Sequence, residues 1–188
     1  MKKPTPFFSR QIDDAIIFAA KAHKDQFRKT DLSIPYVSHP IGVGLILHKA
    51  GFSDDVIIAG ILHDVVEDCD VTINEIRSTF GNEIAFLIEK VSENKELSWL
   101  KRKEEYLQVV LNAPIEVKAI VVADKLHNIQ SIIKALENKE DIWKFFNKDK
   151  KAVIENYINF VKNITQKWDH PLLTELEVAT RHLKKITG

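Results

Sequence analysis

Cysteine is almost missing from this chain: Cys69 stands alone among 188 residues. No intrachain disulfide can form, and a lone thiol suits a reducing compartment better than a secreted one. Long apolar runs are missing too. The longest, such as Ile115–Ala123, contain charges and are too short to span a bilayer, so no membrane partner is expected. Lys2 and Lys3 are followed by no long apolar core, so the opening segment does not read as a signal peptide. A cytoplasmic protein is the expectation. Charge of one sign is not in excess either: 27 basic residues balance 27 acidic ones. No global field draws in nucleic acid, and any polyanion must be met by a local cluster of Lys and Arg. There is no low-complexity tract, fixed repeat or clear linker, so one domain over 1–188 is expected. That length buries a core without disulfide or zinc staples.

What is present reads as helix after helix. Over Gln11–Arg28, Ile12, Ala15, Ile16, Ala19, Ala20 and Ala22 recur at helical spacing, with Asp13, Asp14, Lys21 and Lys24 mostly opposite. Pro40 occupies a first-turn position for a helix through Ile41–Lys49, which Gly51 ends. Ser53 suits the N-cap of a helix over Asp54–Val66, and Thr72 with Glu75 forms a capping box for Ile73–Phe80. Gly81 breaks that helix before Glu83–Val91. Ser92–Leu97 reads as a polar loop and Ser98–Leu111 as a charged amphipathic helix. Glu116–Leu136 is apolar enough in its first half to run through the core. Asp141–Thr165 and Leu172–Ile186 complete the chain as helices. No Asn-Gly or Asp-Gly turn and no sustained alternation occurs, so essentially no sheet is expected. The fold class is an all-α bundle, with a core over about 11–165 and a C-terminal helix over 172–186.

His63 and Asp64 close the apolar run Val56–Leu62 and precede Val65 and Val66. Two ionisable neighbours carried into a core need partners, since an unpaired buried charge costs several kcal/mol on the usual order. A divalent cation is one such partner, and imidazole with carboxylate suits manganese, iron or zinc. A core histidine bonded to a nearby carboxylate is the other reading. Asp124 repeats the theme after Ala119–Ala123, and His39 stands before Pro40 at a loop-to-helix junction, where it faces either solvent or a cleft. Glu67 and Asp68 fall one helical turn beyond His63 and Asp64. They make either a solvated acidic helix end or the proton-transfer pair that a hydrolase needs.

Taken together, Gln26-Phe27-Arg28-Lys29, Pro35-Tyr36-Val37-Ser38-His39-Pro40, Leu62-His63-Asp64-Val65-Val66-Glu67-Asp68 and Ala123-Asp124-Lys125-Leu126-His127-Asn128 resemble, in that order, the RelA/SpoT-type alarmone hydrolases of the HD superfamily. The similarity runs from about Asp13 to about Ile164 and is strongest to the small stand-alone members. It implies an all-helical HD-domain fold with one manganese ion held by His39, His63, Asp64 and Asp124, and Glu67 and Asp68 as catalytic carboxylates. The implied reaction removes pyrophosphate from the 3′ position of ppGpp or pppGpp. Arg28 and Lys29 match the family's basic pair near the nucleotide, Asn128 a substrate contact, and Tyr157 a tyrosine near the nucleoside. Lys101-Arg102-Lys103 resembles a stretch that reaches the phosphates, with Lys103 taken as its representative.

Phe27 stands where a basic residue is frequent and Cys69 where threonine is usual; neither removes a group the chemistry needs. Within the 188 residues no synthetase or regulatory domain follows, so a single-activity enzyme is expected. The partner expected is a small-molecule nucleotide, with no nucleic acid, and nothing sets an oligomeric state. Two other readings compete: an HD phosphohydrolase acting on another nucleotide, such as the 2′-phosphate of NADPH, and a non-catalytic nucleotide-binding module. The latter would need neither Glu67 nor Asp68.

Overall fold

The computed structural model describes residues 9–93, 96–146 and 148–188. The opening Lys2-Lys3 segment, the middle of the expected 92–97 loop and Asn147 lie outside the described residues.

The first helix, α1 (Arg10–Ala22), buries Ala15 and Ala19 and stops six residues short of the expected end. The reason lies in His23, whose buried ring places Nδ1 2.8 Å from Gln26 Oε1 and 3.2 Å from Cys69 Sγ. Held there, the chain turns, and Gln26 N–H donates back to the His23 carbonyl at 3.0 Å. A short hairpin follows, β1 (Phe27–Arg28) against β2 (Asp31–Pro35), antiparallel with an irregular register that sets Phe27 opposite Pro35 and Arg28 opposite Asp31. This corrects the expectation of no sheet. Its turn contains no glycine: Asp31 Oδ1 instead accepts from Ser33 N–H at 2.8 Å and from Ser33 Oγ at 2.7 Å. Leu32 and Ile34 are exposed, so no buried alternation marks the strands.

The helices α2 (Ser38–Lys49), α3 (Asp54–Leu62) and α4 (Val65–Asp68) come next, with Gly51 at φ +82° ending the first. Ser53 occupies the cap position of α3 but its side chain makes no capping bond. Thr72 does cap, accepting from Glu75 N–H at 3.2 Å, at the head of α5 (Ile73–Phe80). Gly81 at φ +95° separates it from α6 (Asn82–Val91). Beyond the 92–97 segment lie α7 (Trp99–Asn112) and the long α8 (Ile115–Glu137). The helix expected over Asp141–Thr165 is shorter. It is preceded by one 3-10 turn at Trp143–Phe145, and α9 (Lys150–Ile164) starts only where Asp149 caps Ala152 N–H at 2.9 Å. The chain closes on α10 (Pro171–Thr187). Among the described residues no helix is long and apolar enough to cross a membrane.

The centre of the bundle is α3, buried throughout Val56–Leu62 and surrounded by α1, α2, α6 and α8. Burying a side chain such as Ile58 or Leu62 is worth about 1.5–3 kcal/mol. The apolar run therefore pulls α3 inward and carries the polar residues that follow it into the core. Helix α10 covers α8 with Leu172, Leu176, Ala179 and Leu183. Two glycines set how closely α2 approaches α3. A Cβ at Gly44 would lie 2.6 Å from Ile61 Cγ1, and one at Gly60 would lie 2.4 Å from Leu47 Cδ1. Alanine is favoured over glycine in a helix interior by about 0.8–1 kcal/mol, yet Ile61 is branched at Cβ and stiff. Gly44→Ala is therefore expected to lower stability by about 1–3 kcal/mol through overpacking. Urea unfolding measures this; a variant as stable as the native chain would show that α2 and α3 have room to spare.

Candidate metal centre

The expected helix over Asp54–Val66 is interrupted, and His63 and Asp64 occupy the interruption. His63 Nδ1 lies 2.8 Å from the Gly60 carbonyl oxygen, the acceptor that the amide of residue 64 would use in an unbroken helix. The imidazole thus takes over a backbone acceptor, α3 ends at Leu62, and the chain restarts as α4. Four-residue spacing survives across the restart, since Asp68 N–H donates to the Asp64 carbonyl at 2.9 Å. His39 enters from the first turn of α2 and Asp124 from the middle of α8.

These four residues meet. One ligand atom from each of His39, His63 and Asp124 falls within a 4.8 Å sphere of mutual separation. His39 Nε2 is 3.1 Å from Asp124 Oδ1 and 3.6 Å from Asp64 Oδ2. His63 Nε2 is 3.1 Å from Asp64 Oδ2 and 3.7 Å from Asp124 Oδ1. Asp64 Oδ2 also accepts from the Tyr36 hydroxyl at 2.5 Å. A carbonyl can only accept, so His63 Nδ1 carries a proton. Its Nε2 is buried and, despite the nearby carboxylates, has no hydrogen-bond partner among the described residues. An unpartnered imidazole nitrogen aimed at two carboxylates is what a divalent cation completes, and the two-imidazole, two-carboxylate donor set fits one.

The electrostatics agree. Burial opposes charge on His63, yet Asp64 and Asp124 outweigh it and hold its pKa well above the ordinary value. Burial would raise the Asp64 carboxyl, but His63 and His39 bring it down to about 2. Asp124 is likewise held low by both histidines against the effect of burial. His39 moves the other way, lowered chiefly by burial. Without a cation, then, the cluster keeps a proton where one would sit.

Around the cluster lies a cleft of about 160 Å³ whose walls include Glu67, Lys103, Asn128 and Tyr157. Glu67 Oε1 accepts from Glu93 N–H at 2.8 Å. Asp68 is exposed beside it, and its carbonyl accepts from Gln26 Nε2 at 2.6 Å. Asn128 Nδ2 donates to Asp124 Oδ1 at 2.6 Å, while buried Arg28 donates to Asn128 Oδ1 at 3.1 Å and lies over the Tyr36 ring. Past Arg28 and His127 a second groove of about 500 Å³ opens, lined also by Thr30, Ser131 and Lys134. Of the basic stretch in α7, Lys103 reaches the cleft and Lys101 is exposed away from its lining. Lys103 Nζ is 2.5 Å from Glu93 Oε1, and Arg102 Nε 2.9 Å from Glu93 Oε2. Lys29 is exposed at the hairpin turn and lines neither space.

Sequence reasoning missed Tyr36, Glu93, Tyr106, Lys125 and His127. Tyr36, Lys125 and His127 lie within motifs already singled out, Tyr106 on the amphipathic helix expected over Ser98–Leu111, and Glu93 in the expected polar loop. Lys125 is buried with its Nζ 4.7 Å from the Phe160 ring centroid and 5.5 Å from that of Tyr106, and burial lowers its pKa.

Residues 15–146 match the HD domain family, and the chain belongs to it. The mouse protein guanosine-3′,5′-bis(diphosphate) 3′-pyrophosphohydrolase MESH1 is 40% identical over 124 residues, covering 65% of this chain and 69% of the mouse protein. The solved structure of a metazoan ortholog of SpoT that hydrolyses ppGpp superposes with a TM-score of 0.82 at 26% identity, covering 95% of this chain and 98% of that one. The crystal structure of lmo0812 from Listeria monocytogenes EGD-e gives a TM-score of 0.73 at 36% identity over 80% of this chain and 96% of that one.

A cation entering the cluster must displace the His63 proton. Below the raised pKa of His63, affinity for a divalent metal should therefore tighten about tenfold per pH unit, and this slope should continue above the ordinary value of 6.5. Calorimetric titration with Mn²⁺ in buffers of different ionisation enthalpy counts the released proton. An affinity that is flat from about pH 6 to 8 would remove His63 from the ligand set.

Proposed function

We propose that this chain is a metal-dependent (p)ppGpp 3′-pyrophosphohydrolase, with Mn²⁺ held by His39, His63, Asp64 and Asp124. The observation that carries the metal is the buried, unpartnered His63 Nε2 facing two carboxylates. The substrate rests on the likeness to proteins named for that activity. The lone Cys69 supports a reducing, cytoplasmic setting.

A polyphosphate cannot enter a pocket of carboxylates unaided. Like charges at about 4 Å repel by about 4 kcal/mol each at an effective dielectric near 20. The bound cation would supply positive charge at the attacked phosphorus and acidify a neighbouring water. The protein's own groups complete the task. Lys103 brings positive charge to the cleft, and Arg28, fixed by Asn128, brings it to the adjoining groove. Tyr157 bounds it, and the adjoining groove of about 500 Å³ falls in the size range of small-molecule sites, about 300–1,000 Å³. Lys29, at the hairpin turn, would act only from the rim.

In this reading water attacks the phosphorus bonded to the ribose 3′-oxygen. That P–O bond breaks, the 3′-oxygen leaves with a proton, and ppGpp plus water becomes GDP plus pyrophosphate. Glu67, oriented by the Glu93 amide, takes the proton from water, and Asp68 returns one to the leaving oxygen.

Purified chain loaded with Mn²⁺ should release GDP and pyrophosphate from ppGpp and lose the activity on chelation. Glu67→Gln and Asp68→Asn should each lower kcat by about 10²–10⁴-fold while nucleotide still binds. Orthophosphate from NADPH without pyrophosphate from ppGpp would reassign the substrate, and no turnover of either would leave a binding module.

A further inference from the structure

His127 lies on α8 one turn beyond Asp124, on the same helix face. Its Nδ1 is 2.9 Å from His39 Nδ1, and the two rings stand 4.9 Å apart between centroids. Two imidazoles joined through their Nδ1 atoms share one proton between them, so one donates and the other accepts. The opposite nitrogen of His39, Nε2, is the atom that faces Asp124 and Asp64. For that nitrogen to offer a lone pair to a cation, the His39 proton must stand on Nδ1, and His127 Nδ1 must be the acceptor.

The backbone is shaped around this ring. A Cβ at Gly42, inside α2, would lie 2.3 Å from His127 Nε2 and 2.4 Å from its Cδ2. What it meets is a rigid ring already held on its other side by His39, so there is little freedom to yield. Helix propensity alone favours alanine at position 42; the glycine is explained by the ring.

We propose that His127, seated against Gly42, is the positioning residue that fixes His39 in the Nδ1–H tautomer and so makes His39 Nε2 a metal ligand. The inference rests on the metal centre proposed above and deepens it. Ligating histidines are commonly oriented by an acceptor on their other nitrogen; here that acceptor is itself a histidine, and a helix gives up a side chain to admit it.

Calorimetric titration of the full chain with Mn²⁺ tests this without reference to turnover. His127→Leu removes the acceptor and should weaken Mn²⁺ binding about 10–100-fold. His127→Asn places Oδ1 where Nδ1 stood and should bind within about threefold of native. Gly42→Ala, which drives the ring from its seat, should weaken binding about as much as His127→Leu. In Zn²⁺-loaded native protein, nitrogen-15 NMR should find His127 protonated at Nε2. Thermal melts of the metal-free variants establish that each is folded, and the asparagine variant and the native tautomer decide the matter should the leucine variant not fold. Native-like affinity in His127→Leu overturns the inference. So does an asparagine variant as weak as the leucine one, or a His127 proton on Nδ1 in the loaded protein. Native chain that binds no Mn²⁺ overturns the metal centre itself, and is thereby distinguished from failure of the His127 role alone.

Discussion

Two carboxylates and two imidazoles share one small space where α2, the end of α3 and the middle of α8 converge, and that sharing constrains everything around it. Asp64 and Asp124 cannot sit beside each other in a largely desolvated space without positive charge between them. In the metal-free chain a proton on His63 supplies it; a divalent cation taking that proton's place would bring twice the charge to the same space. The stability of the apolar scaffold and the electrostatics of the cluster are linked at this point. Burial of Val56–Leu62 forces the end of α3 inward, and the polar residues arriving there must be satisfied by one another.

Charge around the centre is arranged in shells of alternating sign rather than as an open basic patch. Asn128 joins Asp124 to Arg28, and Glu93 joins the Glu67 carboxylate, through its amide, to Arg102 and Lys103, through its side chain. Net neutrality of the whole chain therefore conceals a local field. The cations are held in place by partners from other segments of the chain, so they are positioned before any anion arrives and little ordering remains to be done on binding. Tyr36 serves the same end for Asp64, its half-buried phenol staying protonated and donating to the carboxylate.

Much of the fold was legible in the chain because its helices announce themselves. Apolar periodicity placed α1, α6, α7 and α10, Gly51 and Gly81 marked true breaks, and Thr72 caps as its spacing to Glu75 requires. The misreadings share one cause: a side chain captured a backbone or turn role from a distance that periodicity does not register. His23, held by Gln26 and Cys69, ended α1 early. Asp31 closed a hairpin without a glycine turn. His63 took the Gly60 carbonyl and split one expected helix into two. Arg28, Asn128, Lys103 and Tyr157 do line the metal cleft or the groove beside it, whereas Lys29 is exposed at the hairpin turn.

By itself the sequence determined the mainly helical class, the order of the main helices and which ionisable residues stand beside apolar runs. Those follow from short-range spacing and from the cost of placing His63, Asp64 and Asp124 next to apolar runs. Only the tertiary structure decided that His39, separated from Asp124 by nearly half the chain, shares a space with it, and that Gly42 lies against His127. Those meetings depend on how closely three helices pack, which is set by absent side chains at Gly42, Gly44 and Gly60 as much as by those present. A missing Cβ leaves no mark on periodicity or charge, so its partner is visible only once the chain is folded.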